Sequence, residues 1–333
     1  MRLRLFAVAI LVAGSLCAAD PQLLSLAPPD TQAMAGVNVQ QVSLSPIGQY
    51  LLAQNPQQTA AGLEKLMAAT GFDPRHDLQE LLIAANVPPG NKTGLILVRG
   101  TFDVPRIIEA ALAAGAKVES YKGVQVIQQK GMKEQAAAFP DSTTAIIGDT
   151  PSVEAAIDRK SAPTAISSAL AVAVNMASTT EDAWFVTMVP PSKFQPRPAG
   201  AGAQEPSPFA ILDTVMQANG GVKLGANVVV TVNAICKSAQ DAATLAETVK
   251  SLAGMLGSVG TSGDAGQAAV GEMLKNLSIT SSGATATLSL SMPEQQIEQR
   301  MQMKGDPNSA TGWDVRSGRY RGVSPPPKQA PQR

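Results

Sequence analysis

Histidine occurs once in this chain, cysteine twice, and aromatic residues make up only 4% of it. With His76 as the sole imidazole, mechanisms that need two histidines, the HExxH zinc proteases among them, are excluded. No serine stands in a Gly-x-Ser-x-Gly elbow, so a nucleophile of that type is excluded too. The acids near His76 lack the twelve-residue calcium-loop spacing with its central glycine. Gly254, Gly257, Gly260, Gly263 and Gly266 recur every third residue, which fits neither a dinucleotide fingerprint nor a P-loop. Scarce aromatics argue against a carbohydrate platform, and 26 basic residues against 26 acidic ones leave no net positive field to hold nucleic acid. A glycosidase-type pair of carboxylates is compatible with any such sequence, yet nothing else in the composition favours a hydrolase.

The N-terminus is where the sequence is most specific. Arg2 and Arg4 precede an apolar or small run from Leu5 to Leu16, and Cys17-Ala18-Ala19 forms a small-x-small site before Asp20. These features predict a signal peptide over residues 1–19, cleaved between Ala19 and Asp20, and a product that is periplasmic or secreted. The run is too short for a membrane anchor. Lipid attachment at Cys17 expects a leucine three residues earlier and a small residue just before it, where Gly14 and Leu16 stand instead. The later apolar stretches, Leu81 to Ala85 and Val228 to Val232, are strand-sized, so no transmembrane segment is expected in the mature chain. Loss of Cys17 leaves Cys236 without an intramolecular partner; at the end of an apolar strand it is expected to be buried and inert.

Alternating strand and helix patterns predict an α+β fold of two similar mixed-sheet α/β halves, over residues 20–162 and 180–303. The first half reads as a strand at Ala33 to Val39, helices at Ser45 to Gln54 and Ala60 to Thr70, and a strand from Asp77 to Ala85. Gly94 to Gly100 is the next strand, followed by a helix capped by Asp103 and stopped by Gly115. Lys117 to Ser120, Val124 to Gln128 and Thr143 to Ile147 read as short strands, with Tyr121-Lys122-Gly123 as a turn and a helix from Thr150-Pro151. The second half offers a strand at Trp184 to Val189 and another at Asn227 to Ala234. Ser238 and Asp241 box a helix whose apolar face is Ala242, Leu245, Ala246, Val249, Leu252, Ala253 and Leu256. A hairpin around Ser282-Gly283 follows, and Ser291 with Glu294 is expected to box a last helix. Strand, long helix, hairpin and short helix thus recur, which implies an internal duplication. Residues 190–208 are expected to be a mobile loop, Gly257 to Gly266 a flexible insertion, and residues 304–333 a disordered, proline-rich basic tail.

Asp73, His76 and Asp77 are the weak candidates for chemistry, since acids flank the one imidazole. Without a placed nucleophile the reading is a solvated polar turn. No catalytic residue, cofactor or metal is assigned.

Leu26-Ala27-Pro28-Pro29-Asp30, Gly71-Phe72-Asp73-Pro74 with Asp77, Val98 to Asp103, Tyr121-Lys122-Gly123 and Gly148-Asp149, behind a leader, resemble uncharacterised exported bacterial proteins carried as domains of unknown function. The resemblance spans about residues 23–158 and rests on turn and cap residues, so it implies a shared fold and no activity. The function expected is a non-catalytic cell-envelope protein, a binding or scaffolding module for an envelope partner. The alternatives are a periplasmic carrier of an apolar ligand or lipid and, behind both, a hydrolase.

Overall fold

Caps and turns set where each element begins. The computed structural model of the protein describes residues 18–53, 56–86, 94–128, 135–194, 210–259, 274, 276–297, 313–314 and 319–320. Asp20 opens α1 (Pro21–Leu26) by accepting from the Gln22 amide at 2.7 Å. β1 (Ala33–Asn38) ends one residue earlier than its alternation suggests, because the Asn38 side chain accepts from the Gln41 amide and caps α2 (Val39–Leu44). Helices α3 (Pro46–Ala53), α4 (Pro56–Thr70) and the single turn α5 (Pro74–Asp77) then deliver β2 (Leu78–Ala85) and β3 (Gly94–Gly100).

Asp103 caps α6 (Val104–Ala113) as expected, its carboxylate accepting from the Arg106 amide. Two hairpins follow, β4 (Lys117–Tyr121) with β5 (Val124–Gln128) and β6 (Gln135–Asp141) with β7 (Thr144–Asp149). The first turns on Lys122 and Gly123, both at positive φ, the two-residue turn that matches strand twist. Asp149 caps α7 (Thr150–Ser161), and Ser167 caps α8 (Ser168–Thr180). Beyond them lie β8 (Ala183–Thr187), 3₁₀ turns at Pro191–Phe194 and Ala210–Thr214, β9 (Val215–Lys223), β10 (Asn227–Cys236), α9 (Ala239–Val259) and the hairpin of β11 (Leu277–Ser282) and β12 (Thr285–Pro293). The Ser238–Asp241 box at the start of α9 is present, with the Asp241 amide donating to Ser238 Oγ at 3.1 Å.

Twelve of these strands form one sheet, in the order β11-β12-β10-β9-β8-β1-β2-β3-β7-β6-β5-β4. The expected α+β class holds. The expected mixed sheets do not: every pairing in this sheet is antiparallel, and strands of both predicted halves share it. The reason is local. Most strands are joined through hairpins and meanders, and such connections reverse the chain. The joint between the halves is the β1–β8 pair, where Gly36 lies opposite Trp184.

One face of the first half carries the main core. There Met34, Leu82, Leu97, Ile146, Trp184 and Val186 pack under α1, α7 and α8 through Leu23, Leu26, Val153, Ile157, Leu170 and Val174. Arg159 ties two of these helices, its Nε donating to the Leu26 carbonyl at 2.9 Å. Further along, the same face turns polar, and Asn219, Asn233 and Thr287 form a hydrogen-bonded ladder across β9, β10 and β12.

Several sequence expectations are corrected. A last helix does begin at Glu294, over residues 294–297, but the expected box is not what starts it: Ser291 belongs to β12, opposite Val229, and the Glu294 amide donates to the Ala226 carbonyl. Glu294 is buried, and its Oε1 accepts from the amide of Ile47 in α3, 247 residues away in sequence. The α9 face is shorter than its periodicity, since Leu252 is 47% exposed while Ala242, Leu245 and Ala246 are buried. Strands β6 and β9 and helix α8 were not expected. Residues 191–194 form a 3₁₀ turn and 257–259 close α9, whereas residues 1–17 of the expected leader, 195–208 of the expected loop and 260–266 of the expected insertion lie outside the described residues. So does most of the 304–333 tail, in which β13 (Trp313–Asp314) and β14 (Arg319–Tyr320) pair as a short ribbon.

Candidate functional site

The residues singled out around His76 are committed to holding a turn. Asp73 caps α5 through the Arg75 amide, its Oδ2 accepts from Arg75 Nη2 at 2.8 Å, and His76 Nδ1 sits 3.0 Å from the same oxygen. The Arg75 side chain, desolvation notwithstanding, holds the Asp73 carboxyl well below the usual range. Asp77 faces inward on the turn, where its Oδ2 accepts from the Asp73 amide at 2.7 Å. The structure therefore brings Asp73 and His76 together and ties Asp77 to the Asp73 backbone. His76 itself is 78% exposed, with no cleft residue beside it among these contacts. Cys236 is free and buried under α9, and burial pushes its thiol up, as does the Asp241 charge. A protonated thiol is a packing group, not a nucleophile.

A more developed polar cluster surrounds Asp20. Arg99 on β3 donates to Asp20 Oδ2 through Nε at 2.7 Å, and to Gln22, Thr143 and Thr144 as well. Glu80 on β2 lies next to Arg99 in the register and accepts from the Asp20 amide at 3.1 and 3.3 Å. Desolvation pushes the Glu80 carboxyl up to about 7, against the lowering effect of the Asp20 amide.

The second face of the sheet carries the largest feature. Following each strand register in turn gives one row: Val118, Ile127, Ala137, Ile147, Ile96, Ile83, Ala35, Phe185, Gly220, Val232, Leu288 and Ile279. Every member is apolar or glycine. Directly opposed residues share a face, so this is a continuous apolar stripe across all twelve strands. Two helices stand on either side of it. The α6 cluster covers Val98 and Ala145, two residues along their strands from Ile96 and Ile147. The α9 cluster covers Ala218, Ala234 and Ala286, two residues from Gly220, Val232 and Leu288 towards the opposite rim.

Between those footprints the stripe is partly open, although Ile96 still packs against the α6 cluster and Ala35 is half-buried. Ile147 is 40% exposed, Ile83 41% and Phe185 36%. From β7 to β8 this open section spans five strands, about 19 Å at the usual strand spacing. Large apolar side chains aligned and exposed at the centre of a sheet, where burial would be cheapest, mark an interaction surface. Among the described residues there is no group of three or more His, Cys, Asp or Glu placed to hold a metal, and no helix long and apolar enough to cross a membrane.

None of these stripe residues was singled out from the sequence. The available signal was the run Leu95-Ile96-Leu97-Val98, apolar on both faces of β3, which reads as a strand buried on both sides. Only the register shows that one of those faces is open.

No protein-family model matches the chain, and no curated protein matches it. Among solved structures it is similar to crystal forms I and IV of TP0453, at 7% sequence identity in each case. Both alignments cover 84% of this chain and 95% of that one, with TM-scores of 0.45 and 0.47.

Proposed function

We propose that this protein is an exported, non-catalytic binding module of the cell envelope, and that it works through the apolar stripe between α6 and α9. The observation that carries the reading is the exposure of Ile147, Ile83 and Phe185 in one row at the middle of the sheet. An elongated apolar ligand of the acyl-chain class suits this surface, since the open section is long, narrow and without charge along its row. The small-x-small site before Asp20 supports export, and the weak candidates for chemistry are accounted for by capping and ion pairing within one turn.

An internal duplication belongs to this reading. The meander β1-β2-β3 is followed by α6 and a later strand, β7, that returns beside β3; the meander β8-β9-β10 is followed by α9 and a later strand, β12, that returns beside β10. Two such units joined at β1 and β8 would place their helices on one face at opposite rims, leaving a trough between them.

Binding of a fluorescent fatty-acid probe tests the proposal. Wild-type protein should bind it, and Ile83→Asp should weaken binding by about tenfold or more while leaving the thermal midpoint within a few degrees, because the side chain is already exposed. A wild-type protein that binds no acyl probe and carries no lipid in native mass spectrometry, yet retains an envelope protein through this face, would assign the stripe to a protein partner instead.

A further inference from the structure

We propose that the Glu80 carboxylate is a receiving site for the chain's own α-ammonium group, created at Asp20 when the leader is removed. The proposal rests on the export reading above and adds what cleavage does to the fold. The Asp20 nitrogen lies 3.1 and 3.3 Å from the two oxygens of Glu80, close to both and pointing at neither alone. A peptide amide has a single hydrogen to share between them, whereas an ammonium has three. Arg99, the nearest cation, is engaged by Asp20 Oδ2, Gln22, Thr143 and Thr144. Among the described residues, the donor shown to Glu80 is the Asp20 nitrogen.

Hydrolysis of the Ala19–Asp20 amide by a signal peptidase breaks that C–N bond and consumes one water. Its oxygen joins the Ala19 carbonyl carbon, and its two hydrogens end on the Asp20 nitrogen. The Ala19 carboxylate leaves with the leader, and an ammonium stays in place against Glu80. Ala19 is buried in the uncleaved chain, but the peptidase meets the emerging polypeptide before the fold exists. Its departure removes one methyl from the edge of the core.

The electrostatic consequence has a definite sign. While Asp20 remains an amide, Glu80 titrates at about 7, above its ordinary 4.5, with Asp20 and Arg99 as the charged groups facing it. Its folded form then holds a proton that the unfolded form releases. Stability from this group is full below pH 4.5 and is lost as pH rises through 7. With an ammonium at Asp20 the ionised carboxylate is favoured instead, and the decline across that window should disappear. Processing therefore converts a residue that opposes the fold at neutral pH into one that supports it.

The test uses full-length protein matured in the envelope, with its first residue identified by intact mass, and NMR titration of the α-amino group. An ordinary α-amino group titrates at about 7.7–8.0. We expect Asp20 as the first residue and an α-amino pKa raised by about one unit or more, returning to the ordinary range in Glu80→Gln. Since that variant can fold poorly, wild-type protein starting at Asp20 is compared with its N-terminally acetylated form, which should regain the pH 4.5–7 decline in thermal midpoint. An ordinary α-amino pKa at Asp20, with acetylation changing nothing, overturns the proposal and leaves export intact. A different first residue, including a modified Cys17, overturns it and the cleavage position together. Full-length unprocessed protein confined to the cytoplasm overturns the export reading itself.

Discussion

Trp184 lies across the backbone of Gly36, and that contact is possible because Gly36 has no side chain. A Cβ there would fall 2.4 Å from the indole Cζ2 and 2.8 Å from Leu82 Cδ2. Both neighbours are buried core groups, so neither can swing into solvent. Gly36→Ala should therefore destabilise the protein by about 1–3 kcal/mol through overpacking at the β1–β8 joint, measured as a lower urea midpoint with an unchanged slope. A neutral result would mean that the indole has room to shift. At Gly220, on the other face, a Cβ would first meet the backbone of β10 at the Thr231 carbonyl oxygen and Val232 Cα, and then the Phe185 ring edge at 3.1 Å. The two glycines thus seat the two aromatic residues of β8 on opposite faces of the sheet.

At the scale of elements, what was legible in the sequence was what is local. The Asp103, Asp149 and Ser238 caps each act three residues ahead, so the spacing that makes the bond is visible in the chain. The strands β3 and β10 announce themselves by runs of branched residues. Strand β6, built on Gln135-Ala136-Ala137-Ala138, and strand β9, with Gly220-Gly221, were not legible, because alanine and glycine have low strand propensity and gain their place from flanking strands. The stripe was hidden for a related reason: each of its residues is ordinary, and only pairing register aligns them. Periodicity also overstated α9, whose buried footing ends near Val249 although apolar residues continue to Met255. Leu245→Ala should cost about 2–5 kcal/mol by leaving a cavity over Ala218 and Ala234, whereas Leu252→Ala should change stability by less than about 0.5 kcal/mol. Denaturation of the two variants side by side checks this, and equal losses would show that α9 is seated along its full length.

For the whole molecule, continuity of the sheet decides how it comes apart. The halves share the β1–β8 pairing, and backbone bonds from Asn38 to Asp182 and from Asp182 to Val222 extend the seam. The buried Asp182 side chain adds to it by accepting from Lys223 and from the Leu224 amide, both at 2.7 Å. Urea unfolding followed by Trp184 fluorescence at the seam, in a Trp313→Phe background, should coincide with the loss of far-ultraviolet circular dichroism from the entire sheet. Separate midpoints would mean that one half melts while the other stands.

The bond between Glu294 and Ile47 sets an order of events for a chain made N-terminus first. Helix α3 emerges early, but the carboxylate that satisfies its buried amide arrives some 247 residues later. Until then the Ile47 amide lacks this acceptor, and the open edge of β1 likewise waits for β8. Completion of this part of the fold is thus deferred until β12 and the residue that follows it have been made.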